Sequence, residues 1–258
     1  MKVVILAGGL GTRLTEETSL KPKPMVEIGE EPILWHIMKI YSHYGYNDFV
    51  ICLGYKGNII KEFFYNYFIH ESDFELNLQT RNFKILKNPP EQWNVAMVNT
   101  GLNTMTGGRI KRIRDRVKDE TFMVTYGDGV SDLNIGDLVK YHEGHGKLAT
   151  VTAVRPPGRF GAILLQENGL VSKFTEKPKG DGSFINGGFF VLEPGIFDYI
   201  QDNNTIWEQE PLMKLSEDKQ LMAFKYDGFW KGMDTVRDKI ELENLWNNGK
   251  APWKVWED

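Results

Sequence analysis

The chain has 258 residues, 41% of them hydrophobic and 26% charged, with a formal net charge of −4. That composition suits one large globular unit and argues against general nucleic-acid binding, which needs a basic surface to displace counterions. No apolar stretch approaches the roughly 18 residues that cross a bilayer, the N-terminus lacks a signal peptide's long apolar region, and Cys52 is the only cysteine, so a cytoplasmic protein with one buried structural thiol and no internal disulfide is expected.

Val3 to Ala7 is a continuous apolar run that ends in glycine, the pattern of a strand buried on both faces. Pro32 is placed to open a helix, Ile33, Ile37, Ile40, Tyr41 and Tyr44 repeat at helical spacing, and Gly45 can end it. Phe49 to Leu53 predicts a second buried strand. Ile59, Ile60, Phe63, Phe64 and Tyr67 predict another helix, and Phe122 to Thr125 a further strand before the turn Tyr126-Gly127-Asp128-Gly129. Such alternation predicts an α/β fold with a doubly wound, mostly parallel sheet, its ligands beyond the carboxyl ends of the strands. The second half predicts added strands at 148–154, 162–165, 171–175, 184–192 and 221–226, and a last helix from Thr235 to Trp246. No repeat, low-complexity tract or linker interrupts residues 1–258, so one continuous domain is expected, with one set of elements mainly in 1–130 and added elements mainly in 131–258.

Leu6-Ala7-Gly8-Gly9-Leu10-Gly11-Thr12-Arg13-Leu14 follows the first strand directly. Glycines let the backbone approach a ligand, successive N–H groups can form an anion-binding concavity, and Arg13 adds a fork suited to phosphate. The loop is neither a Walker A motif nor G-x-G-x-x-G, and a plain strand-to-helix turn is the competing reading. Lys21-Pro22-Lys23-Pro24 holds Lys23 on a proline-stiffened segment, unless that segment is only a solvated loop. Asp128 and Asp234 each follow glycine-rich turns; alone, either reads as a turn residue, and Asp234 as a cap for the last helix. Lys111, Arg112, Arg114, Arg116 and Lys118 read as a solvated helix face.

The opening strand, then G-G-x-G-T-R-L, then K-P-K-P, resembles the sugar nucleotidylyltransferase family residue for residue. The resemblance implies that the glycine loop holds a nucleotide, that Arg13 and Lys23 bind its phosphates, and that Asp128 and Asp234 bind Mg²⁺. Glu176-Lys177-Pro178 resembles the family's E-K-P segment, whose lysine meets the sugar phosphate. Phe160-Gly161 and Asn186-Gly187-Gly188 resemble its sugar-binding stretches. Thr100 to Arg109, Trp207 to Leu212 and Ala251 to Lys254 are similar to the cytidylyltransferase branch that uses glucose 1-phosphate.

The implied reaction is CTP plus glucose 1-phosphate giving CDP-glucose and pyrophosphate, by in-line attack of the sugar phosphate on the α-phosphorus. UTP or dTTP in place of CTP, or a non-catalytic regulatory protein with this fold, are the alternatives. Thr104, Arg109, Gly127 and the carbonyls of residues 6–9 are the candidates to meet the nucleotide. The resemblance also implies a homo-oligomer, a hexamer among the options, with no nucleic-acid or membrane partner.

Overall fold

Five apolar residues in a row can be buried only where both faces of a sheet are covered. Val3–Ala7 (β1) is such a strand, buried throughout. The computed structural model describes residues 1–11, 18, 20–155, 162–165, 171–175 and 184–257. Among them, β1 is joined in one sheet by Asp48–Leu53 (β2), Asn94–Asn99 (β3), Phe122–Tyr126 (β4), Ala149–Val154 (β5), Ile185–Leu192 (β6) and Leu221–Tyr226 (β7). The strand order is β7-β5-β6-β4-β1-β2-β3. β1 lies parallel to β2 and β4, with Ile5 opposite Ile51 and Thr125; β2–β3 and β5–β7 are also parallel. Only β6 runs antiparallel to its neighbours β4 and β5. The expected doubly wound, mostly parallel sheet is therefore present, with one reversed strand in its second half.

The period-two alternation of β1 divides the core. Val3, Ile5 and Ala7 face one apolar cluster with the helix Ile33–His43 and the C-terminal Trp253 and Trp256. Val4 and Leu6 face the other, with Cys52, Ile110, Phe190 and Trp207. Cys52 is fully buried, and burial pushes its thiol up to about 12, so it is inert packing as expected. Pro32 stands extended immediately before the helix Ile33–His43, and Gly45 follows it at φ +85°, as the residues foretold. The helix Gly57–Glu71 covers the expected second helical stretch.

Two local expectations change. Asp234 does not cap the last helix, Val236–Asn247: Thr235 does, in a reciprocal box in which Asp238 N–H donates to Thr235 Oγ1 and Thr235 N–H to Asp238 Oδ2. The basic run is not all solvated. Lys111 donates to the carbonyls of Ile200 and Gln201 at 2.9 and 2.6 Å, and Arg112 to Asn203 Oδ1 at 2.8 Å, so both clasp a turn of the second half.

Candidate active site

β1 and β4 end side by side, and β6, running the other way, begins beside them. A cleft of about 620 Å³ opens there, at the carboxyl ends of the parallel strands. Leu6, Ala7, Gly8, Gly9 and Gly11 line it, while Leu10 is 55% exposed and is not part of the lining. Thr12, Arg13, Gly161, Glu176 and Lys177 lie outside the described residues.

Lys23 enters from a short 3-10 turn, Lys23–Met25, that Pro22 and Pro24 frame. Its ammonium lies 2.5 Å from Asp128 Oδ2 and 2.9 Å from Asp234 Oδ1. A short ladder brings these distant aspartates together. Gly129–Ser131 pairs antiparallel with Trp230–Gly232, Gly129 opposite Gly232, and Met233 N–H donates to the Asp128 carbonyl. Asp128 just precedes one rung and Asp234 just follows the other. Burial works to lower the Lys23 pKa, but Asp128 and then Asp234 outweigh it and leave the ammonium above its ordinary value. Two carboxylate oxygens thus converge on one cationic point. A set of two hard oxygens fits a divalent ion that keeps water and phosphate oxygens as its other ligands. Among the described residues no group of three or more His, Cys, Asp or Glu forms an all-protein cage.

Arg109 is 4% exposed, and it is a wedge between the glycine loop and its neighbours. Its Nη1 donates to the Leu53 carbonyl, Thr100 Oγ1 and the Gly101 carbonyl at 3.1, 2.7 and 2.8 Å; its Nη2 donates to the Gly8 carbonyl at 2.9 Å. A Cβ at position 8 would fall 2.2 Å from Nη1, so glycine there serves the close approach of this guanidinium. The Gly8 carbonyl also accepts from Tyr55 N–H and the Leu6 carbonyl from Gly127 N–H, which commits these two acceptors of the 6–9 turn within the chain. Thr104 and Gly127 line the cleft alongside Arg109.

At the far end stand Asn186, Gly187 and Gly188. Gly188 has φ +81°, and a Cβ there would lie 2.5 Å from the Tyr126 ring, so two separate constraints require glycine. Trp230 closes this end, its indole N–H donating to the Gly187 carbonyl at 2.7 Å. Tyr126 donates to Glu208 at 2.6 Å and accepts from the Asn186 amide at 3.1 Å. Burial, then the charge of Glu208, holds the Tyr126 phenol well above its ordinary range. Tyr126, Trp230 and Thr106 line the cleft although the motifs did not single them out. The first two adjoin the aspartate motifs, and an aromatic residue beside such a turn was the available signal.

The structure therefore gathers Lys23, Asp128, Asp234, Arg109, Thr104, Gly127, Asn186 and the glycine loop around one cavity. The nucleotidyl transferase family matches residues 2–247. The glucose-1-phosphate cytidylyltransferases of Salmonella typhi and Salmonella typhimurium are each 59% identical over 258 residues, covering all of both chains. Among solved structures, HddC from Yersinia pseudotuberculosis aligns over 95% of this chain and 99% of its own, with TM-score 0.69 and 23% identity. A UDP-glucose pyrophosphorylase complexed with UDP-glucose aligns over 96% and 98%, with TM-score 0.67 and 17% identity; both share the fold. With its full length matched at this level, the chain belongs to the nucleotidyl transferase family.

Proposed function

We propose that the protein transfers a cytidylyl group from CTP to glucose 1-phosphate, forming CDP-glucose and pyrophosphate. The observation that carries this reading is the convergence of Lys23, Asp128 and Asp234 at the mouth of a glycine-lined cleft at the strand ends. The choice of base and sugar follows the Salmonella relatives, which match from end to end.

The attacking group is a sugar phosphate that is already ionised near neutral pH, so no side chain has to serve as nucleophile. The task is to hold two polyanions in line, and positioning alone supplies as much as about 7–11 kcal/mol. Asp128 and Asp234 would hold Mg²⁺, which, when bound, neutralises charge on the nucleotide phosphates. Lys23, whose ammonium pairs with both aspartates, would serve the same end from the chain itself by adding a positive charge beside the phosphates. Arg13 and Lys177 take the triphosphate and sugar-phosphate roles that their motifs imply. Gly8 and its neighbours cradle the nucleotide, with Arg109 and Thr104 on the base side; Asn186 and Gly161, with Glu176, take the sugar side. Three apolar residues exposed on the hairpin beyond the helix Gly57–Glu71 (Leu76, Phe83 and Ile85) support a homo-oligomer.

Pyrophosphate release tests the reading, with a panel of nucleoside triphosphates against sugar 1-phosphates. CTP with glucose 1-phosphate is expected to give the highest specificity constant, and turnover is expected to require a divalent ion. Asp128→Asn and Asp234→Asn should each lower kcat by at least about a hundredfold, the scale of a lost electrostatic contact to a transition state, while circular dichroism stays unchanged. Full turnover in excess EDTA, or a preference for UTP, would sink it.

A further inference from the structure

Glu208 lines no part of the cleft, yet a chain of hydrogen bonds joins it to four residues that do. Thr106 Oγ1 donates to its Oε2 at 2.6 Å and Tyr126 Oη to its Oε1 at 2.6 Å. Tyr126 Oη accepts from Asn186 Nδ2 at 3.1 Å, and Asn186 Oδ1 accepts from Gly188 N–H at 2.8 Å. Thr106 Oγ1 accepts in turn from Trp207 N–H at 2.9 Å.

A carboxylate only accepts, so it dictates the direction of every bond in this chain. Both hydroxyl protons point at Glu208. A phenol has one proton, and Tyr126 gives it to Glu208, so it meets Asn186 only as an acceptor. The Asn186 amide must then turn its NH₂ towards Tyr126 and its oxygen towards Gly188 N–H. Glu208 at one end and the Gly188 N–H at the other therefore hold the Asn186 amide the same way round.

We propose that Glu208 is a positioning residue for the sugar phosphate: its carboxylate sets the polarity of the Tyr126–Asn186 pair and so orients the amide that receives a sugar hydroxyl. This rests on the reading of the Asn186 end of the cleft as the sugar side. Glutamine at 208 keeps the shape and breaks the direction. Its NH₂ faces either Tyr126, releasing the phenol proton towards Asn186 and opposing the amide's orientation, or Thr106, whose proton then has no acceptor.

The test is steady-state kinetics of Glu208→Gln with each substrate varied. The KM for glucose 1-phosphate is expected to rise about tenfold, the scale of one lost hydrogen bond to a charged group, while the KM for CTP and the Tm stay close to wild type. Tyr126→Phe, which removes the relay, should produce a similar rise, and adding Glu208→Gln to it should have little further effect. An unchanged KM for glucose 1-phosphate in Glu208→Gln overturns the proposal. So does an equal rise for both substrates accompanied by a lower Tm, or simple additivity in the double variant. A wild type that makes no pyrophosphate from CTP and glucose 1-phosphate overturns the functional reading and this proposal together; a working wild type with an unaffected Glu208→Gln overturns this proposal alone.

Discussion

Arg109 is where a single side chain would couple stability to the proposed base recognition. Its guanidinium satisfies three carbonyls and a hydroxyl from three separate loops. Arg109→Ala takes a donor from each, but the Gly8 carbonyl keeps Tyr55 N–H and the Leu53 carbonyl keeps Thr100 N–H, so the cost falls on the Gly101 carbonyl, at about 1–3 kcal/mol. Urea denaturation should therefore show a loss of about 1–3 kcal/mol by the same accounting. The glycine loop loses its brace, so CTP use should fall at least tenfold and the gap between CTP and UTP should narrow. Arg109→Lys should not rescue either effect, because one ammonium cannot span Gly8 and Gly101 as a planar fork does. Stability equal to wild type in Arg109→Ala would refute the wedge. The Thr104-to-Arg109 motif marked this residue, but it could not reveal that the partners are backbone carbonyls 56 and 101 residues away.

Among elements, the short strand Glu31–Pro32, paired with Glu27–Ile28, carries a carboxyl group in an unfavourable place. Burial, then the charges of Glu71, Glu91, Glu30 and Glu27, pushes Glu31 up to about 7 from an ordinary 4.5. A carboxyl raised in the fold disfavours the folded state once it is ionised there. That cost is full above about pH 7, shrinks as pH falls through the interval from 7 to 4.5, and vanishes below it, where both states are protonated. Glu31→Gln should accordingly raise the Tm at pH 8 and leave it unchanged at pH 4. Thermal melts across that range check the sign, and a gain confined to low pH would contradict it. Elements also show where local pattern fails. The helix Thr106–Arg112 contains Gly107 and Gly108, each costing a helix about 1 kcal/mol. It forms because its glycines lie against the chain at Asn203 and Thr205, where a Cβ would sit 2.4 and 2.8 Å from carbonyl oxygens. Tertiary packing overrides propensity at this point, which is why periodicity did not find it.

At the scale of the whole molecule, the hairpin of Asp73–Leu76 and Phe83–Lys87 stands outside the main sheet as a two-stranded sheet of its own. Its register sets Phe74 opposite Ile85 and Leu76 opposite Phe83 on one face, with Glu75 and Lys84 on the other. Leu76, Phe83 and Ile85 remain 48%, 47% and 38% exposed. A lone hairpin is marginal in water, and a contiguous apolar face of this kind marks an interaction surface. The proposed homo-oligomer should therefore depend on it. Sedimentation should show an oligomer for the wild type and a smaller species for Leu76→Ser with Phe83→Ser. A wild type that sediments as a monomer at micromolar concentration would remove the hairpin from this role.

Six of the seven strands of the sheet and the first helices were legible in the residues themselves; Asn94–Asn99 was not, and the two aspartates stood out together only through the family resemblance. Each legible element is written in a local signal: an apolar run or a 3.6-residue period. The last helix begins one residue later than its pattern placed it, at Val236 with Thr235 as its cap, while Asp234, which alone also read as a cap, pairs with Lys23. What the tertiary structure alone decided is which groups meet. Lys23 reaches Asp128 across 105 residues and Asp234 across 211, and Tyr126 reaches Glu208 across 82. Such contacts leave no period in the sequence, because sheet order and loop closure, rather than any local preference of the residues concerned, bring their partners within hydrogen-bond distance.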